Sequence, residues 1–280
     1  MPPRLFHAFV LALAATVAGG CRPGEAPGRG ARTRVVLRYQ PLGPDPRPLR
    51  ALVEGFEREN PGVLVELQPI PSSSDLAHQL LVTALAAGAE DLDAFVLDVI
   101  WVAELARAGW LADLSAAFPP ERVRADFLSG PAEVVTADGR TRAVPWFVDV
   151  GLLYYRRDLV PRPPATAAEL EALSRDATSR APGLAGYVWQ GRQYEGLSCV
   201  FFEALWARGG EPFERGRLRL DSPAAREALG WLRGLVERGV SPRSVAVAAE
   251  EDARRAFQEG RAVFMRNWPY AWPLLQEEGS

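Results

Sequence analysis

Residues 132–159 read AEVVTADGRTRAVPWFVDVGLLYYRRDL, and the chain changes its architecture within them. The pair Asp138-Gly139 between two β-rich runs is a strong hairpin signal. Beyond it comes a run of aromatic and branched apolar residues that carries a single carboxylate, Asp149. An ionised Asp in such company is costly unless donors reach it. No helix begins there, so capping explains little, and the competing readings are an ion pair with an Arg or a ligand.

Working outward, the sequence before this stretch alternates strand and helix. RVVLRY (34–39) reads as a strand, and Leu49, Leu52, Val53 and Phe56 recur at helical spacing until NPG (60–62) ends the helix. VLVEL (63–67) is a second strand. The run from Ser72 to Gly88 is a helix with a Ser cap and a Gly stop, AFVLD (94–98) is a third strand, and IWVAELARAG (100–109) a third helix. This βαβαβα order implies a parallel sheet covered by helices. After the stretch, GLLYYRRDL leads into the helix TAAELEALSRDATSR, GYVWQG is a strand, and EGLSCVFFEALWARGG a helix. A helix with Pro223 near its first position follows, then the strand RAVFM and the aromatic segment NWPYAWPLLQEE. The expectation is an α/β fold with a first lobe over 34–142, a crossover over 143–150 and a second lobe over 151–280.

The first 21 residues differ in kind: Arg4, an apolar run, and AGG before Cys21. They read as a secretory signal, with an apolar stretch shorter than the roughly 20 residues of a membrane span. The Gly-, Pro- and Arg-rich residues 22–33 suit a flexible tether. Once the signal is set aside only Cys199 remains with certainty in the folded part, so the fold rests on its core rather than on a disulfide. The 280 residues carry a formal charge of −3, with basic residues that are always Arg and form no stripe, which disfavours nucleic acid as a partner.

In open α/β sheets ligands lie beyond the carboxyl ends of strands, and pockets favour domain seams. The residues at those places are Asp98, Asp149, Trp189, Gln190, Asn267, Trp268 and Tyr270. Taken singly, Asp98 reads as a helix cap, Glu195 as a first-turn helix charge, and Trp268 and Tyr270 as core aromatics. His7 lies in the signal and His78 stands alone, so neither a metal centre nor a Ser-His or Cys-His nucleophile is expected. No G-x-G-x-x-G or Walker loop follows a strand, and no cofactor is expected. What survives is carboxylates, amides and large aromatics. Such a set suits sugars, whose hydroxyls donate to carboxylates while their C–H faces lie on Trp or Tyr; anions would be repelled.

FERENPGVLVELQPI, DAFVLDVIWVAELARAGWLADL, AVPWFVDVGLLYYRRDL, YVWQGRQYEGL and RAVFMRNWPYAW, in this order, resemble the extracellular solute-binding proteins of sugar ABC importers. The similarity runs from about Arg34 to Trp272, and the branch it resembles binds trehalose, maltose and related glucosides. The resemblance implies a periplasmic-binding-protein-like fold of two lobes that close over a sugar by hinge bending and deliver it to a membrane permease. It places Asp98 and Asp149 as acidic sugar ligands, and Trp268 and Tyr270 as stacking and hydrogen-bonding aromatics. Trp101, Gln190 and Glu195 match further motif positions. Cys21 resembles the lipidated Cys of a bacterial lipobox, with Ala18 where a Leu is usual; simple cleavage or an uncleaved anchor is the alternative. The implied location is exported, periplasmic or cell-surface, with a lipid anchor in the membrane. Family members usually continue a hundred or more residues past NWPYAW, so the second lobe and its return crossing are expected to be incomplete. A glycosidase using two of Asp98, Asp149 and Glu195 remains the alternative; it would need carboxyls about 5–5.5 Å apart for retention or about 6.5–9.5 Å for inversion.

Overall fold

A computed structural model describes residues 32–41 and 46–276. The signal-like segment, Cys21 and the tether up to residue 31 lie outside the described residues. The chain divides into two compact units that part between Val148 and Asp149.

In the first unit, β1 (Thr33–Tyr39), α1 (Arg47–Glu59), β2 (Val63–Pro69), α2 (Ser74–Ala86) and β3 (Ala94–Phe95) alternate. A 3-10 turn over Val99–Trp101 leads into α3 (Val102–Arg107), followed by α4 (Pro120–Asp126) and α5 (Ser129–Val134). The sheet has the order β2-β1-β3, all parallel, with β1 and β2 paired from Thr33↔Val63 to Tyr39↔Pro69. Strands that need a crossover helix between them can pair in this way, and α1 and α2 supply the crossovers. Leu81, Trp101, Val102 and Leu105 form one packed cluster and Phe118, Val123 and Ala132 another.

Two expectations change here. The third strand is shorter than AFVLD, because the ladder ends at Phe95 and Asp98 opens the 3-10 turn. The β-rich reading of 132–146 gives way to α5 and a minimal hairpin of β4 (Thr136–Ala137) and β5 (Arg140–Thr141). Its turn is what the sequence signals: Asp138 and Gly139 both take positive φ, 51° and 72°, as a two-residue hairpin loop requires.

The second unit holds β6 (Leu152–Tyr155), α6 (Ala167–Arg180), β7 (Ala185–Val188), α7 (Glu195–Trp206), a small hairpin of β8 (Phe213–Glu214) and β9 (Arg217–Leu218), α8 (Pro223–Glu237), α9 (Glu250–Gln258), β10 (Ala262–Asn267) and α10 (Ala271–Leu274). Thr166 caps α6 by accepting from Glu169 N at 3.1 Å, and Ser222 caps α8 from Ala225 N at 3.2 Å. The sheet order is β6-β10-β7. Every residue of β10 is buried, as suits a central strand covered on both faces. Phe264 and Met265 are wholly inaccessible, and each stabilises the unit by roughly 1.5–3 kcal/mol through the area it removes from water.

β10 runs parallel to β7 but antiparallel to β6. Asn267 therefore faces Leu152, and Met265 faces Val188. The start of β6 and the ends of β7 and β10 all meet at one edge of the sheet. That edge gathers the residues considered next.

Candidate functional site

Asp149 stands three positions before Leu152, Gln190 two positions after Val188, and Trp268 one after Asn267, so the register brings all three to the same sheet edge. Asp149 is exposed, as are Trp146, Phe147, Val148 and Val150 around it. The expected buried apolar setting is thus absent in this conformation: the segment has no regular secondary structure and is open to water, so desolvation places no demand on the Asp149 carboxylate.

Trp268 is half-buried. The Arg266 guanidinium sits over its ring, with Cζ 3.7 Å from the ring centroid. Its Nε1 donates to Glu250 Oε1 at 3.4 Å, and its backbone N–H donates to Asn267 Oδ1 at 2.8 Å. Tyr270, also half-buried, donates its hydroxyl to Glu251 Oε1 at 2.8 Å. Burial first, and then Glu251, push the Tyr270 phenol well above its ordinary value, so it remains a donor. Burial also raises the Glu251 carboxyl, but hydrogen bonds from Arg254 and Tyr270 outweigh it and leave that carboxyl below its usual range.

Tyr194 adds a third aromatic. Arg192 sits over its ring at 4.6 Å, and its hydroxyl is buried without a hydrogen bond of sound geometry among the described residues. Burial and then the Glu250 carboxylate, by its charge and its hydrogen-bonding approach, raise its phenol far above the ordinary value, so the hydroxyl keeps its proton. Glu195, the first residue of α7, is half-buried beside it in sequence.

Burial takes two expected ligand contacts out of reach in this conformation. Gln190 is wholly inaccessible, and both ends of its amide are engaged: Oε1 accepts from Arg266 Nη1 at 3.1 Å and Nε2 donates to Arg266 O at 3.0 Å. Trp101, in the first unit, is 5% exposed within the core and lies 5.3 Å from the His78 ring. Asp98, also in the first unit, is half-buried and takes the capping role: its Oδ1 accepts from Ile100 N at 3.3 Å. Trp189 is likewise buried, its Nε1 donating to Ser241 Oγ at 3.0 Å.

Sequence reasoning missed Tyr194, Glu203, Glu250, Glu251 and Arg266. The run EED at 250–252 was the available signal, since acidic residues in a first helical turn mark a helix start and here that start abuts the aromatics. The second unit thus offers half-buried rings beside two carboxylates: Glu250, which accepts from Trp268 Nε1, and Glu251, which is shared between the Tyr270 hydroxyl and the Arg254 guanidinium. Such a surface accepts hydroxyl protons and covers C–H faces, which is the chemistry of a polyhydroxylated ligand.

The profile of the bacterial extracellular solute-binding proteins matches residues 41–278. The chain belongs to that family. Within the bacterial extracellular solute-binding proteins, a probable ABC transporter-binding protein of Deinococcus radiodurans is 38% identical over 232 residues, 78% of this chain and 54% of the relative. The structure of maltose-bound MalE3 of T. maritima superposes with a TM-score of 0.79 at 42% identity, over 88% of this chain and 64% of that one. The maltotriose-bound maltotriose-binding protein of Thermus thermophilus, at 23% identity and TM-score 0.67, covers 85% of this chain and 62% of its own and shares the fold. The chain spans about half the length of the curated relatives it matches.

Proposed function

We propose that this solute-binding protein is the receptor of an ABC importer that captures a di- or oligosaccharide of the maltose or trehalose kind and delivers it to a membrane permease. The observation that carries this reading is the 42% identity to a maltose-bound structure across 88% of the chain. Asp149, Trp268, Tyr270 and Glu195 are the ligand residues at that edge of the second unit, and Asp98 is the ligand residue of the first. Trp101 and Gln190 support from within. Closure of one lobe on the other would exchange the exposed surface of residues 146–150 for sugar contacts, which shifts an open–closed equilibrium toward the closed form. The protein is a receptor without hydrolytic activity, exported, and held to the membrane by a lipid on Cys21.

The arithmetic is adequate. Hydrogen bonds to charged groups contribute about 1.5–3 kcal/mol each, so two carboxylates and one or two aromatic platforms supply most of the roughly 8 kcal/mol of a micromolar ligand. The test is a thermal-shift panel of maltose, maltotriose and trehalose against mannitol and ribitol, with chromatography of the sugars after incubation. Stabilisation by a glucoside that is recovered intact supports the receptor. Release of glucose favours a glycosidase, and no shift with any glucoside sinks the sugar reading.

A further inference from the structure

We infer that Arg266 is the positioning residue for Trp268, holding the indole plane so that only one face of the ring is offered to a ligand; this rests on the sugar-binding reading above. Three observations meet in it. The Arg266 side chain is 3% exposed, at the carboxyl end of a central strand whose other positions are mostly apolar. A cation in such a place is costly unless its donors are satisfied. They are: Nε donates to both carboxylate oxygens of Glu203 at 3.2 Å, Nη2 reaches the same carboxylate, and Nη1 donates to Gln190 Oε1 at 3.1 Å. With its nitrogens tied to Glu203 and Gln190, the guanidinium is held in place over Trp268, its Cζ 3.7 Å from the ring centroid.

The consequence for binding is geometric. The face of the indole toward Arg266 is closed, so a sugar ring stacks on the opposite face. Glu250 fixes the rotation of the indole in its own plane through Nε1, and Arg266 fixes its tilt. Gln190 and Glu203 act at one remove, which explains why a wholly buried amide sits at the sheet edge where a ligand is expected. A Lys would keep the charge opposite Glu203 but has neither the flat face nor the fork that reaches Gln190.

The test is a double-mutant cycle on the full 280-residue chain, titrated with maltose. Arg266→Lys, and Arg266→Met combined with Glu203→Gln so that no carboxylate is stranded, are each made with and without Trp268→Ala. Loss of one cation–π contact and of the ring's orientation is expected to weaken maltose binding about five- to tenfold when Trp268 is present. It is expected to cost less than about twofold when Trp268 is already Ala, because nothing is left to orient. Equal losses in both backgrounds, or none in either, overturn the inference. A second readout needs no ligand: the near-UV circular dichroism of Trp268, taken as the difference between the parent and Trp268→Phe, should collapse in both Arg266 variants. If the parent fails to bind maltose, the sugar reading falls, and this band alone decides the positioning role: an unchanged band refutes it.

Discussion

Replacement of Gly151 by Ala probes the packing of β6 against the Arg266–Glu203 pair. A Cβ built there would overlap Glu203 Oε1 and stand 2.8 Å from Arg266 Nη2. Real carbon–oxygen contacts do not approach so closely, so Glu203 must withdraw or β6 must shift. Glu203 is 39% exposed and can retreat into water, whereas Arg266, 3% exposed, cannot follow. Overpacking alone costs about 1–3 kcal/mol, and separating a buried ion pair about 3–5 kcal/mol. Because Glu203 can retreat into water while Gln190 and the Trp268 ring still cover the guanidinium, the expected loss is about 3 kcal/mol, where the two ranges meet. For a unit of this size that is a fall in Tm of roughly 10 °C. The control is Gly230→Ala, exposed within α8, where a Cβ meets nothing within 4 Å. It is expected to stabilise by about 0.5–1 kcal/mol through helix propensity. Thermal denaturation of the two variants beside the parent decides the matter. A Gly151→Ala protein that melts within about 2 °C of the parent refutes the close packing of Gly151 on the Arg266–Glu203 pair.

Asp149→Ala removes an exposed carboxylate, so its Tm should hold within about 2 °C, while maltose affinity should fall at least about tenfold if one charged hydrogen bond to a hydroxyl is lost; calorimetry with unchanged affinity would exclude Asp149 from the site. Glu66, held down by Arg34 and then Gln68, and Glu169, held down by Arg162 and then the Ala165 N–H, each titrate at about 2, below the ordinary 4.5. Carboxyls lowered by folding contribute stability above pH 4.5 that is lost as the pH falls toward 2. Urea midpoints measured at pH 5 and pH 2.5 should therefore differ more in the parent than in Glu169→Gln; equal differences would contradict the native ion pair. Thr166→Ala removes the cap of α6 and should cost about 1 kcal/mol in the same assay.

The alternation β1-α1-β2-α2 was legible because each element carries its own period: Val53 and Phe56 are buried on α1, and Ala77 and Leu81 on α2. The turn at Asp138-Gly139 and the Ser222-Pro223 start of α8 were legible for the same reason, since their chemistry is local. The site was legible only in part. Trp268 and Tyr270 stand out by residue type, but what orients them comes from α9 and α7, distant in sequence, and pair register decides that. Apolar content at residues 146–150 reads as burial, yet these side chains are exposed, because composition reports what a segment prefers and not whether a neighbour covers it. Asp98 shows the converse. Its capping role was the reading that residue type alone supports, and the structure has that bond.

The most direct measurement is the dissociation constant of maltose for the parent chain and for Trp268→Ala, taken by isothermal titration at one temperature and salt concentration. Micromolar binding by the parent, weakened about tenfold or more in the variant at a temperature where both proteins are folded, is the result expected of a sugar held against that ring. Equal affinity in the two proteins would contradict the placement of the sugar at the β10 edge.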